Sequence, residues 1–162
     1  MSHELRELDE IGIGLFLAEP VAAGHPIVVF GGEPTPGPHF RLLTEERQRH
    51  ALQVDDDVFL VGQVGDIDER VNHSCDPTGV LVDAVTLVAA RDLASGAQIT
   101  YDYATTDSVP YDEFECECGS ARCRGKVTAE DWMDPVVRSH YDGHFSPYLQ
   151  AKIDRADVST PA

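Results

Sequence analysis

The placement of cysteine constrains this chain more than any other feature. Cys116, Cys118 and Cys123 fall within eight residues, in Cys116-Glu-Cys-Gly-Ser-Ala-Arg-Cys123, and the one remaining cysteine, Cys75, lies far earlier. Cysteines only two positions apart are poor disulfide partners, and the inside of a cell disfavours disulfides. Three clustered thiols with a fourth from a distance suit a tetrahedral Zn²⁺ whose four positions are all filled, the structural kind of zinc site. A disulfide is the alternative. A zinc site of this composition ties the C-terminal segment to the middle of the chain.

The distant cysteine sits in Arg70-Val-Asn-His-Ser-Cys-Asp-Pro77, where an amide, an imidazole, a hydroxyl and a thiol follow one another. So dense a polar run is no core strand, because each buried polar group without a partner costs about 1–3 kcal/mol. Pro77 fixes the exit of the segment. The stretch reads as a loop, either a functional one or an ordinary capped turn.

A length of 162 residues suits one domain with a real core. No apolar run is long enough to span a membrane. The N-terminus, Met1-Ser-His-Glu-Leu-Arg-Glu7, lacks the layout of a signal peptide. The expectation is an intracellular, cytoplasmic protein with no membrane partner. The formal charge is −17, and Lys126 and Lys152 are its only lysines. Phosphate contacts need Lys and Arg, so direct binding of nucleic acid is not expected. A basic protein or peptide is the favoured partner. The same charge also fits a role in solubility alone.

The rest of the chain reads as many short strands, few helices and no internal repeat, a mostly β fold. Residues 1–10 are polar, frayed or an edge element. The run over 11–18 is strand-like, and Gly12 and Gly14 allow a close backbone approach or simply a twisted strand start. It is not a dinucleotide fingerprint, because Leu17 stands where glycine is needed. A second strand covers 26–30, followed by a Pro- and Gly-rich loop over 35–39. Thr44 caps a short helix reaching about Gln53. Asp55 to Asp57 form a solvated turn rather than a calcium loop. Strands are expected over 58–61, 80–82 and 85–90, the last two joined at Asp83-Ala84 without the favoured glycine. A strand over 98–103 places Tyr101 and Tyr103 on one face and Thr100 and Asp102 on the other. Two adjacent phenols make either plain core packing or an apolar slot with polar tips. Ser146 is a candidate cap for a last helix through Tyr148, Leu149 and Ile153.

Four stretches in this order resemble the SET-domain protein lysine methyltransferases: Gly12-Ile-Gly-Leu-Phe16, Arg70 to Pro77, Gly96-Ala-Gln-Ile-Thr-Tyr-Asp-Tyr103, and the cysteine cluster running to Gly125, which is similar to the family's post-SET segment. The similarity covers roughly residues 5–127. It implies a SET-domain β-clip of short strands with few short helices, in which a C-terminal segment threads through a loop. It also implies a SET domain over 5–110, a post-SET zinc segment over 111–127, and a helical tail of unknown role over 128–162.

By the same resemblance, S-adenosylmethionine is held by Gly12, Ile13 and Gly14 and by Asn72 and His73. Tyr103 is the catalytic tyrosine. Tyr101 lines the lysine channel and limits how many methyl groups fit, which favours monomethylation. Cys75, Cys116, Cys118 and Cys123 ligate one structural zinc ion. Trp132 is a candidate for closing the cofactor site, with plain packing as the alternative. Two positions depart from the family pattern: Thr78 follows Pro77 where asparagine is usual, and Phe30 stands where many members carry tyrosine. The insert between Glu33 and Arg70 is short. The implied activity is methyl transfer to the ε-amine of lysine in a basic protein or peptide, histone-like or ribosomal. A catalytically weak binding module and a methyltransferase for a non-peptide amine are the alternatives. In-line transfer to an amine rests mainly on positioning, and water can remove the proton without a side-chain base.

Overall fold

The computed structural model describes residues 2–8 and 12–158. The reading for Ile11, and the end of the tail over 159–162, lie outside the described residues. Short strands dominate. β1 (His3–Leu8) pairs antiparallel with β2 (Gly12–Leu17). A three-stranded sheet sets β9 (Thr86–Ala89) between β3 (Pro26–Val29) and β8 (Gly79–Leu81). A second sets β6 (Val58–Val61) between β4 (Glu33–Pro36) and β5 (Leu52–Asp55). β7 (Asn72–His73) runs parallel to β10 (Thr100–Tyr101), and β11 (Phe114–Glu115) pairs with β12 (Lys126–Val127). The α-helices among the described residues are α1 (Gly37–Phe40), α2 (Glu45–Arg49), α3 (Pro135–His140) and α4 (Pro147–Val158). None of them is long and apolar enough to cross a membrane.

The main core is built mostly from buried residues of these strands. Leu15, Leu17, Ile27, Leu81, Leu87 and Ile99 are all but fully buried in it, and Tyr101 closes one side. The hairpin between β8 and β9 does without glycine because the Asp83 carboxylate accepts the N–H groups of Val85 and Thr86, at 2.8 and 2.6 Å.

Several boundaries differ from the sequence expectation, each for a local reason. The loop expected over 35–39 is divided between β4 and α1. β4 is the edge of its sheet, where Pro34 and Pro36 lose no needed donor, and Pro38 sits in the first turn of α1. Thr44 does cap α2, accepting from the Arg47 N–H, but the helix stops at Arg49. Gln53 is instead a fully buried strand residue whose amide nitrogen reaches the carbonyls of Asp55 and Asp56 and the Ser108 hydroxyl. The central loop carries the two-residue β7 inside it. The strand expected over 98–103 shortens to β10, because the Asp102 side chain caps a 3-10 turn over Tyr103–Thr105. Ser146 caps nothing through its hydroxyl, which is buried without a partner, although its carbonyl accepts from Gln150.

The tail forms a second apolar cluster, in which Trp132, Val137, Tyr141, Phe145, Leu149 and Ile153 surround Ala104. Three of its polar contacts reach the same neighbourhood, while His144 bonds to the Leu81 carbonyl and Lys152 to Asp56. Tyr141 Oη donates to the Cys75 carbonyl, Ser146 N–H to the Thr105 carbonyl, and Tyr148 Oη to the Thr106 carbonyl. The tail thus backs the turn that follows β10. Replacing Leu149, 0% exposed, by alanine is expected to cost roughly 2–5 kcal/mol in urea unfolding. A change below about 1 kcal/mol would show that the tail unfolds apart from the rest.

Candidate functional site

The four cysteine sulfurs converge, all lying within 4.8 Å of one another. Cys75 and Cys116 are buried, while Cys118 and Cys123 are half-buried. Backbone hydrogen bonding shapes the loop, with Cys116 N–H on the Gly125 carbonyl and Cys123 N–H on the Ser120 carbonyl. Burial pushes the Cys75 thiol up to about 11 and raises Cys116 as well. A divalent cation reverses that preference by binding the thiolates. Four thiolates around one point are the donor set of a closed structural zinc site, and the side chains present fit that ion.

Arg124, next to the last cysteine, was not singled out from the sequence. Its guanidinium forms a fork on Asp102, at 2.6 and 2.8 Å, and its Nε donates to Asp131 at 2.9 Å. The Asp102 side chain is 0% exposed. The residue between the two tyrosines therefore locks the thiol loop onto the end of β10. His73 is fixed from both sides: its Nδ1 accepts the Tyr103 N–H at 3.3 Å and its Nε2 lies 3.2 Å from Cys75 Sγ. Burial lowers the imidazole to about 4 against the opposing pull of Asp102, so the ring is neutral at pH 7. An accepting Nδ1 places the remaining proton on Nε2, facing the sulfur. Thr78, the departure after Pro77, is bound in as well: its hydroxyl donates to the Gln98 carbonyl and accepts from the Thr100 N–H.

Beside this frame lies a cavity of about 740 Å³. Gly12, Ile13, Asn72 and His73 line it together with Tyr101 and Tyr103. Gly12 has φ +82° with open space where a Cβ would be, so glycine leaves the backbone bare there. Asn72 Nδ2 donates to the Ile13 carbonyl at 3.2 Å, joining the two cofactor motifs of the sequence. The tyrosine rings lie with centroids 4.8 Å apart, and Phe30 meets Tyr101 edge to face at 5.4 Å. Tyr103 Oη donates to the Val71 carbonyl at 3.1 Å. Burial drives both phenols well above their ordinary range, so they stay protonated donors. Both rings pack against the main core and also line the cavity.

Two proposed cofactor residues lie elsewhere. Gly14 does not line the cavity, and a Cβ on it would come within 2.8 Å of Leu8 and 2.9 Å of the Gln98 amide. Trp132 is buried in the tail cluster, with Arg138 and Lys152 near its ring, at 5.7 and 5.6 Å. Conversely, Asp107 and Tyr111 line the cavity without having been foreseen. An acid placed just after Tyr101-Asp-Tyr103 was the only signal for the first, and nothing in local pattern marked the second.

A sequence model of the SET domain matches residues 12–104, more than half of the chain. The chain belongs to the SET domain family. Among relatives, it is 28% identical over 138 residues to the variant-silencing SET domain-containing protein of Plasmodium falciparum (isolate 3D7), a match covering 74% of this chain and 5% of that one. It is 27% identical over 132 residues to the histone-lysine N-methyltransferase trithorax of Drosophila virilis, covering 70% and 3%. It is 26% identical over 126 residues to the histone-lysine N-methyltransferase, H3 lysine-4 specific, of Yarrowia lipolytica (strain CLIB 122 / E 150), covering 69% and 11%. This chain therefore spans only a small part of those proteins. The SET fold is shared with KRYPTONITE, solved in complex with mCHG DNA and SAH, at a TM-score of 0.60 and 23% identity over 77% of this chain and 28% of that one.

The thiol loop is tied to β10 through Arg124 and Asp102, so a metal on the four thiols would brace the SET frame, and chelation tests this. The purified protein is expected to carry about one zinc per chain and to lose several degrees of melting temperature on chelation, as is Cys118→Ser. A metal-free protein melting at the same temperature would contradict the assignment.

Proposed function

We propose that this SET domain transfers a methyl group from S-adenosylmethionine to the ε-amine of lysine in a basic protein or peptide. The observation that carries this reading is the Tyr101–Tyr103 pair, set in one cavity with Gly12, Ile13, Asn72 and His73. The relatives named histone-lysine N-methyltransferases support a protein lysine as acceptor. S-adenosylhomocysteine, present in the KRYPTONITE structure, is what S-adenosylmethionine leaves behind after giving up its methyl group, which supports the donor.

Gly12, Ile13, Asn72 and His73 would hold the cofactor, which supplies an electrophilic methyl on a sulfonium. The protein's own task is to admit a neutral amine and aim it. A free lysine has a pKa near ~10.4, and an apolar channel favours its neutral form. Phe30, Leu52, Leu60 and Val71 supply apolar wall to the cavity. The Tyr103 hydroxyl, held on the Val71 carbonyl, gives a fixed dipole at the reacting centre.

The cavity surroundings favour a cationic acceptor. Asp68, Glu69, Asp112, Glu113, Glu115 and Glu117 line it against Arg49 and Arg70, and the Arg49 guanidinium lies 3.3 Å from Asp112. With a formal charge of −17 the field attracts lysine-rich segments and repels nucleic acid. Histone-like or ribosomal proteins have that character. Cytoplasmic placement and the division into SET, post-SET and tail segments at 110 and 127 belong to the same reading.

Incubation with radiolabelled S-adenosylmethionine and a panel of basic proteins is expected to label lysine, and Tyr103→Phe to lower the rate by about a hundredfold or more. Cofactor binding without transfer to any basic protein would overturn the reading. Tyr101→Phe, which empties space beside the amine, is expected to move products from mono- toward di- and trimethyl-lysine in mass spectra. Unchanged methylation states would remove Tyr101 from that role.

A further inference from the structure

Asp107 is a carboxylate in an unusual place. It follows the 3-10 turn after β10, is only 7% exposed, and lines the same cavity as Tyr101 and Tyr103. Two neutral hydroxyls hold it: Thr106 Oγ1 and Tyr111 Oη each donate to Oδ1, both at 2.9 Å. Among the described residues no hydrogen bond reaches Oδ2 and no Lys, Arg or His pairs with the carboxylate. The ionisable groups that face it are Tyr101, Tyr103, Tyr111, Tyr148 from α4, Asp112 and Asp102, all phenols or acids. A buried carboxylate lacking a cation is expensive for a fold to keep, and such groups cluster at functional sites. A cation slim enough to enter an aromatic slot would meet this carboxylate at the cavity wall. An alkylammonium is such a cation.

We propose that Asp107 receives the ammonium of the incoming lysine and takes its proton before methyl transfer, an assignment that rests on the methyltransferase reading above. The proton passes from Nζ to the carboxylate, turning –NH₃⁺ and –COO⁻ into –NH₂ and –COOH. The freed Nζ lone pair then forms the bond to the methyl carbon as the carbon–sulfur bond breaks, its electron pair staying on sulfur. The product is a methylammonium, and the acid releases its proton to water before the next turnover. Burial raises Asp107 to about 7, while the two hydroxyl donors hold it down from going further. The same desolvation lowers a lysine ammonium, so the two groups are brought toward each other in proton affinity. Water need not be the base here.

The test compares wild type with D107N, in which an amide oxygen still accepts from Thr106 and Tyr111. The first readout needs no cofactor: n-butylammonium, a mimic of the lysine end, is titrated at about pH 8 beside neutral n-butanol and followed by tyrosine fluorescence. D107N is expected to bind the cation about tenfold more weakly or worse, with n-butanol unaffected. The second readout is single-turnover methylation across pH. Wild type is expected to rise with an apparent pKa of about 7, set by Asp107. D107N is expected to be slower by about tenfold or more near neutrality, with the gap closing toward about pH 10, where the free amine is abundant. Equal affinities for butylammonium together with superimposable pH profiles overturn the proposal. Should D107N fail to fold, Tyr111→Phe decides, because losing a donor to the carboxylate must move the wild-type midpoint upward; an unmoved midpoint overturns it. Wild type without transfer overturns the methyltransferase reading and this assignment with it. Transfer with an indifferent D107N overturns the assignment alone.

Discussion

The bidentate contact between Arg124 and Asp102 holds the site together. Asp102 is wholly buried between two tyrosines that line the cavity, and Arg124 directly follows a member of the thiol cluster. Asp102 is the fully buried member, and removing its guanidinium partner would leave it uncompensated, which typically costs about 3–5 kcal/mol. The pair therefore obliges the cysteine loop to close on the end of β10. His73 joins the same frame, held by the Tyr103 backbone on one side and facing the Cys75 sulfur on the other. A metal ion on the four thiols would thus set the tyrosines without touching them. Its contribution is positional, as the outer shell of such a site commonly is.

The tail completes this frame from behind. Tyr141, Ser146 and Tyr148 bond to carbonyls of residues 75, 105 and 106, and Ala104 is sunk in the tail's apolar cluster. The turn that carries Tyr103 toward Asp107 is thereby held from the thiol side and from the helical side. A rigid support of that kind matters for chemistry in which orientation supplies most of the acceleration. The cavity combines apolar residues such as Phe30, Leu52, Leu60 and Val71 with an excess of acids over arginines, a lining that attracts cationic chains.

The parts of this arrangement that sequence revealed are those encoded by spacing. Four thiols with one distant member pointed to a single metal, and the polar run at 70–77 pointed to a loop. Resemblance to the SET family then named the tyrosines and the glycine-bearing strand, and the cavity brings Gly12, Ile13, Asn72, His73, Tyr101 and Tyr103 together. What escaped depended on contacts between distant segments. Arg124 looks like any surface arginine until Asp102 is seen opposite it. Gln53 reads as a helix end but is buried, because its amide serves the turn after β5. Trp132 took an apolar niche behind Ala104 that no local pattern announces. Beyond its position shortly after Tyr103, Asp107 carries no signal in the sequence, since only the folded chain brings the Tyr111 and Thr106 hydroxyls onto it.

A crystal structure with S-adenosylhomocysteine bound is the most direct test of where the chemistry happens. The predicted result has the ligand against the backbone of Gly12 and Ile13 and beside Asn72 and His73, its sulfur facing the Tyr103 hydroxyl. The slot between Tyr101 and Asp107 should stay open for an amine. A ligand bound elsewhere, or lying across the two tyrosines with no room for a lysine, would contradict methyl transfer at this site.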